Sequence, residues 1–479
     1  MSKSLSSTQP SGRYIMCPVK SVSVSNPLKG TVEVDGDKSI SHRAVLFNAI
    51  SNGQAKISKI LEGEDVIDTI KCLQSCGVSI VKKGSDYIIN GVGLRGLKKP
   101  ENDLYFGNSG TSARLFMGVL AGQGFSAKLT GDASLNKRDM KRVVDPLTIM
   151  GAGFTSEEKK KNQKTTDDFH EKSYKSDDKI TLPITITGTN SLTSIEYKLP
   201  MASAQVKSAI LLAGLNAKGK TVVVEKNPSR NHTEIILKAM GANIVCEDSK
   251  ISIIGNKELN AMDFVVPGDP SSAAFIVAAA LLVKDSDVTI KNVCINRTRM
   301  GFYETLKSMG AKVSIKQTSV LHGEPVGEIN AKYSPDMNGV EIDPSIVPSM
   351  IDEFPILSVV ASFANGRTKM SGLKELTTKE SNRLLAIANG LSFCGVSVNY
   401  GEIDHSLVVY GDGINKIIKT PTRSIATQLD HRIAMSFLIA GLKSDNGIVI
   451  DDKTMIKTSF PNFEKIFTTL GGKLIDVEL

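Results

Sequence analysis

The stretch DVIDTIKCLQSCGVSIVKKGSDYIING, residues 65–91, decides the fold. Its first half places Val66, Ile67, Ile70 and Leu73 at helical spacing, which gives the helix one apolar face. Gly77 then ends the helix, because a chain leaving through the left-handed conformation favours a residue without Cβ. The second half reads as two strands joined by a Gly-containing turn.

The same phrase returns around Gly151 (IMGAGFT), Gly241 (AMGANIV), Gly310 (SMGAKVSI), Gly395 (FCGVSVNY) and Gly471 (TLGGKLID). With Gly77 these make six instances, separated by 74, 90, 69, 85 and 76 residues. The widest interval holds a Lys- and Asp-rich stretch, residues 156–178, that reads as a flexible inserted loop. The repeating unit is a βαβαββ fold, and six copies predict an α/β (α+β) protein built by repetition. A longer echo is superposed on it. VDGDKSISHRAV at 34–45 resembles VPGDPSSAAFIV at 266–277, and each is a strand ending in Gly-Asp before a helix. These read as the two points where the chain crosses between domains. One domain is then residues 37–266, and the other is discontinuous, 1–36 plus 267–479, with three repeats in each. A cleft between them is the expected ligand site.

Bulk properties bound the function. A chain of 479 residues exceeds what one core usually organises. Its apolar share of 41% and charged share of 23% are those of a soluble globular protein, and no window reaches the apolar length of a membrane helix. The first fourteen residues, MSKSLSSTQPSGRY, lack the apolar core of a secretory signal. Six scattered cysteines without a CxxC pair point to a reducing, cytoplasmic setting. The net charge of +8 suits anionic metabolites or nucleic acid equally, and 5% aromatic residues without Trp offer little for base stacking.

Several motifs carry charge at element boundaries. GDKSISHR (36–43) places Lys38 and Arg43 around Ser39 and Ser41 at a helix start, where free N–H groups attract anions. It reads equally as a plain helix cap. FGNSGTSARLFMG (106–118) opens a helix with small residues that allow a ligand close to the backbone, or that merely make a tight loop. GDASLNKRDMKRV (131–143) holds Arg138 among four basic residues, and PMASAQVKSAILLAG (200–214) starts an apolar helix with Ser203, Ala204 and Gln205. SMIDEFP (349–355) sets Asp352 among apolar neighbours, which predicts raised proton affinity and suits a general base. TKESNR (378–383) carries Lys379, Glu380 and Arg383; DHRIAMSF (430–437) carries Arg432; TMIKTSF (454–460) carries Lys457. Together with Arg230, these cations suit two substrates that each bear a phosphate and a carboxylate. Neither a Walker loop nor a Rossmann fingerprint is present, so no nucleotide cofactor is expected, and the histidines lack metal-ligand spacing.

In this order, from about residue 34 to 463, the motifs resemble the EPSP synthases, the 3-phosphoshikimate 1-carboxyvinyltransferases, and most closely their class II-like bacterial branch. The resemblance implies a two-domain enolpyruvyl transferase fold with its active site in the interdomain cleft. It implies transfer of the enolpyruvyl group of phosphoenolpyruvate to the 5-hydroxyl of shikimate 3-phosphate, in aromatic amino acid biosynthesis, without cofactor or metal. Lys38, Ser39, Arg43, Ser203, Ala204, Gln205, Arg230, Asp352 and Lys379 would then bind shikimate 3-phosphate. Lys38, Asn108, Gly110, Arg138, Gln205, Arg383, Arg432 and Lys457 would bind phosphoenolpyruvate, with Asp352, Glu380 and Lys38 catalytic. Glyphosate is implied as an inhibitor, although Gly110 stands where herbicide-tolerant relatives can carry alanine. A monomer acting on small molecules, with no nucleic acid or membrane partner, is expected.

The family usually has proline at Asp35 and Asp139 and aspartate at Asn231, departures expected to loosen the loops carrying Lys38, Arg138 and Arg230. The enolpyruvyl transferase acting on UDP-N-acetylglucosamine shares the repeat but normally carries a reactive cysteine in its N-terminal half. Between Arg114 and Gly151 this chain has none. A basic repeat protein that binds nucleic acid is the rival from another class.

Overall fold

The computed structural model describes residues 16–23, 26–156 and 179–477. The lysine-rich insertion after Ser156 and the first fourteen residues lie outside the described residues. All six repeat glycines leave their helices with positive φ: Gly77 at 85°, Gly151 at 109°, Gly241 at 92°, Gly310 at 89°, Gly395 at 73° and Gly471 at 104°.

The described strands form six sheets, four with four strands and two with three. Within a unit, one strand pairs in parallel with the first arm of a hairpin system: Glu196–Lys198 runs parallel to Lys220–Val224, which pairs antiparallel with Lys250–Ile254. That last strand in turn pairs with Asn243–Glu247. Chain ends complete units that lie far away in sequence. Phe264–Val265 joins Asn52–Ser58, Lys29–Glu33 joins Asp287–Cys294, and Val19–Ser21 is sandwiched between Val449–Ile450 and Leu474–Asp476.

Two apolar clusters result. One gathers side chains from Ile40 to Val266 together with Cys294; the other gathers Val19, Leu28, Val34 and residues from Ala273 to Leu470. At the centre of the second lies the helix Pro270–Leu282, all thirteen of whose residues are buried. A helix enclosed on every side must be apolar all round, and past its two N-terminal serines PSSAAFIVAAALL is. In the first lobe the helices Gly110–Ala121 and Ala204–Gly214 cross so closely that a Cβ on Gly118 would lie 2.3 Å from the Ala209 carbonyl oxygen. Among the described residues no helix is long and apolar enough to cross a membrane.

The Gly118 contact is testable. Gly118→Ala forces two backbones apart, and its urea unfolding midpoint should fall by the equivalent of about 1–3 kcal/mol. An unchanged midpoint would show that the crossing relaxes freely.

Candidate active site in the cleft between the lobes

Helix starts build the site. Asp37 caps the helix Lys38–Ala49 by accepting from the Ile40 N–H at 2.8 Å, and Ser109 caps Gly110–Ala121 through the Ser112 N–H at 3.1 Å. Asp430 caps His431–Ala440 through the Arg432 N–H at 2.9 Å. Ser203 sits at the head of Ala204–Gly214. Each cap leaves the first-turn residues Lys38, Ser39, Gly110, Thr111, Ala204, Gln205 and Arg432 on the wall of one cleft, where the positive ends of the helix dipoles add to the side-chain charge. Eight basic and five acidic side chains line that cleft.

The carboxylates occupy the cations. Asp352 accepts from Arg230 Nη2 at 2.6 Å and Arg383 Nη1 at 3.2 Å, with Lys379 Nζ at 3.7 Å and Arg432 Nη2 at 4.0 Å. Burial alone would raise its pKa, but Lys379, Arg432, Arg230 and Arg383 together hold it well below the usual carboxylate range. The expectation of a raised proton affinity is therefore wrong for the empty cleft: SMIDEFP reads as apolar along the chain, but space surrounds Asp352 with cations. Glu380 behaves alike. Burial works against its ionisation, but Arg383, whose Nη2 is 2.5 Å away, leads Arg138, His431 and Lys38 in holding it well below normal. Lys38 Nζ is paired with Asp65, whose own pKa burial raises despite that partner. Lys379 Nζ also reaches Glu375 at 2.6 Å.

Asn108 accepts from Arg138 Nη2 and donates to Asp132 Oδ2 at 2.8 Å. A Cβ on Gly110 would stand 2.8 Å from Arg114 Nη1 and 3.1 Å from Arg138 Nη1. Gln205 is held from both ends, accepting from Arg114 Nη1 at 2.6 Å and donating to Thr111 Oγ1 at 2.9 Å.

Three expected residues stand elsewhere. Arg43 lies behind the wall, 2% exposed, donating to Thr233 Oγ1 (2.7 Å), Ser39 O (2.9 Å) and Ser208 Oγ (3.0 Å), so in the empty cleft it supports Ser39 from beneath. Arg383 is likewise buried under the floor, where Nε donates to Asp430 Oδ2 at 2.7 Å. Lys457 is exposed on the short 3-10 helix Thr454–Thr458 and does not line the cleft. Its motif reads as one more basic helix start, but the turn lays the backbone, not the ammonium, against Gly63.

The structure also adds residues that the motifs contained without marking. Asp65, Arg114, Arg142, Arg299, Glu375 and His431 all line the cleft. His431 Nε2 is buried without a hydrogen-bond partner, and burial, reinforced by Lys38 and Arg432, pushes the imidazole well below its ordinary pKa. For Asp65 the available signal was its place in the first turn of a helix opened by LEGED; nothing in the linear pattern distinguished Arg299.

Nor are the loops at the three departures loosened. Asp35 accepts from the Asn462 backbone N–H (3.0 Å) and Nδ2 (2.5 Å). Asp139 accepts from the N–H groups of Lys141 (2.9 Å) and Ile180 (3.2 Å), and Asn231 Oδ1 accepts from Asn296 Nδ2 at 2.8 Å. At 35 and 139 the aspartate anchors its loop through a side-chain acceptor that proline lacks, and at 231 the amide oxygen keeps an acceptor where the family has a carboxylate.

Comparison with known proteins agrees with this geometry. A family model described as EPSP synthase (3-phosphoshikimate 1-carboxyvinyltransferase) matches residues 22–172 and 171–467. A protein named 3-phosphoshikimate 1-carboxyvinyltransferase from Ruegeria sp. is 46% identical over 456 residues, covering 94% of this chain and 96% of its own. One of the same name from Zymomonas mobilis is 46% identical over 466 residues, covering 95% and 97%. A solved EPSP synthase from Acinetobacter baumannii superposes with a TM-score of 0.82 at 39% identity, over 96% of this chain and 100% of that one. The enolpyruvyl transferase NikO from Streptomyces tendae shares the fold, with a TM-score of 0.72 at 15% identity over 97% and 99%.

The ion pairs of Asp352 and Glu380 predict a pH dependence. Both carboxyls titrate lower folded than unfolded, so their contribution is complete above the unfolded value near about 4 and is lost as pH falls through the folded values. The part of the acid limb that these groups cause should therefore lie below about pH 4 and shrink in Asp352→Asn. An Asp352→Asn limb superimposable on the parent's, in urea midpoints measured against pH, would contradict it.

Proposed function

The chain belongs to the EPSP synthase family, and from that membership we infer how its cleft transfers the carboxyvinyl group of phosphoenolpyruvate to the 5-hydroxyl of shikimate 3-phosphate. The observation that carries the reading is Asp352, ringed by Arg230 from one lobe and Lys379, Arg383 and Arg432 from the other.

Shikimate 3-phosphate lies against Lys38, Ser39, Ser203, Ala204 and Gln205, with its phosphate on Arg230 and its reacting side toward Asp352 and Lys379. Arg43 joins it by supporting Ser39. Phosphoenolpyruvate occupies Asn108, Gly110, Arg138, Gln205 and Arg432, beside Lys38 and Glu380, and Arg383 joins it from beneath the floor as Asp352 and Glu380 shift off its Nη atoms. Lys457 reaches the ligand only if closure swings its helix inward.

Anion arrival changes Asp352. Lys379, Arg432, Arg230 and Arg383 stabilise its ionised form so strongly that it is a weak base. A phosphate on Arg230 and a carboxylate on Arg383 and Arg432 draw those cations away, and the proton affinity of Asp352 rises toward what a general base needs. The 5-hydroxyl proton then passes to Asp352 while the Lys38 ammonium protonates the methylene carbon, a step open to Glu380 only once the ligands have drawn Arg383 and Arg138 from it and it has taken up a proton. Carbon two of phosphoenolpyruvate becomes cation-like, and the hydroxyl oxygen attacks it. The product of this step is a tetrahedral ketal that still carries phosphate. The group that gave the methylene proton takes one back from the new methyl group, the double bond re-forms as the C–O bond to phosphate breaks, and the departing phosphate takes up the proton held by Asp352. The cleft contributes positioning and electrostatic stabilisation throughout. Lobe closure, with shikimate 3-phosphate binding first, brings the two halves together.

The same reading makes the protein a monomer of the cytoplasm, supported by the burial of Cys72, Cys76, Cys294 and Cys394 as thiols. Glyphosate competes at the phosphoenolpyruvate subsite, where the glycine at 110 leaves Arg114 and Arg138 uncrowded.

Phosphate release from phosphoenolpyruvate should require shikimate 3-phosphate; release that ignores it would remove the reading. Asp352→Asn should keep substrate binding, by calorimetry, within a few fold while turnover falls about a hundredfold or more. Near-native turnover would take Asp352 out of the proton transfer.

A further inference from the structure

The two Gly-Asp echoes meet in space. Gly36 and Gly268 form an antiparallel bridge, with the Asp37 N–H on Pro267 O at 2.7 Å and the Asp269 N–H on Asp35 O at 2.9 Å. These are the two segments through which the chain passes between its apolar clusters. Gly36 is packed too tightly for any side chain, since a Cβ there would lie 2.2 Å from Lys59 O.

One guanidinium fastens the crossing. Arg299, 2% exposed, donates through Nη1 to Asp37 Oδ2 at 2.5 Å and through Nη2 to Asp269 Oδ1 and Ser271 Oγ, both at 2.9 Å. Each of the two aspartates also caps a helix in a different lobe: Asp37 caps the helix that begins with Lys38, and Asp269 the one that begins with Pro270. Asp269 Oδ2 additionally accepts from the Lys38 N–H at 3.2 Å. From Ser271 the link continues, because its hydroxyl donates to Glu353, the chain neighbour of Asp352, whose Oε1 is 3.9 Å from Arg432 Nη1.

We infer that Arg299 is a positioning residue for the transfer reaction, the pin of the hinge, which sets the Lys38 side of the cleft against the Asp352–Arg432 side as the lobes close. A planar fork can span two carboxylates and a hydroxyl at once; a single ammonium cannot. This rests on the enolpyruvyl transfer proposed above, so turnover of the parent chain is measured alongside. An inactive parent would defeat that reading, whereas an active parent beside a fully active variant would defeat only this one.

The test is Arg299→Lys in the full chain, which keeps the charge and loses the fork. Turnover should fall about tenfold or more while the KM for shikimate 3-phosphate moves only a few fold. The decrease in radius of gyration that shikimate 3-phosphate produces in the parent should be lost or reduced. A variant that melts earlier but turns over and compacts like the parent shows a merely structural role and overturns the inference. Should Arg299→Lys fail to fold, Ser271→Ala decides. It removes the hydroxyl that links Arg299 to Glu353 while leaving both aspartates on the guanidinium, and should lower turnover several fold at a near-parent melting temperature; parent-like turnover and compaction would sink the proposal.

Discussion

Cations gathered for two anionic ligands must also be held together when no ligand is there. Two unit charges about 4 Å apart interact by roughly 4 kcal/mol near a protein surface, so an uncompensated cluster would force the lobes apart. The chain meets this with its own carboxylates. Asp352, Glu380, Asp65 and Glu375 each stand against a basic side chain of the cleft. The cleft is thereby laced by internal ion pairs, so an anionic ligand that engages these cations must compete with the chain's own carboxylates.

That competition ties electrostatics to chemistry. A carboxylate cannot serve as a base while four cations stabilise its charge, and it regains basicity only as those cations turn to other partners. The arrangement explains why so many of these groups are buried or half-buried. In bulk water the cations would be screened and Asp352 would feel little of their rearrangement.

The scaffold meets a matching demand. Side chains far apart along the chain must converge within ångströms, and repetition supplies that convergence. Each unit ends a helix at a left-handed glycine and begins another near the interlobe cleft, so a repeated local rule aims several helix starts at one place. The two crossings between lobes are the exceptions to repetition. There the units are joined by paired extended segments and buried charge, the part of the molecule where a small rotation has the largest effect on the site.

The repeat, the α/β class and most of the cleft residues were legible in the sequence, because helix periodicity, left-handed glycines and capping aspartates and serines act over a few residues. Lys38, Ser39, Gly110, Gln205 and Arg432 are first-turn residues, and a helix start is visible in a linear pattern. Tertiary structure alone decided what surrounds each charge. It placed Arg43 and Arg383 beneath the surface they serve and turned Lys457 outward. It reversed the expected basicity of Asp352 and brought Arg299 between two aspartates that lie 232 residues apart. Local patterns determine which elements form and where they begin. The proton affinity of a buried group depends on charges within a few ångströms, and those neighbours come from anywhere in the chain.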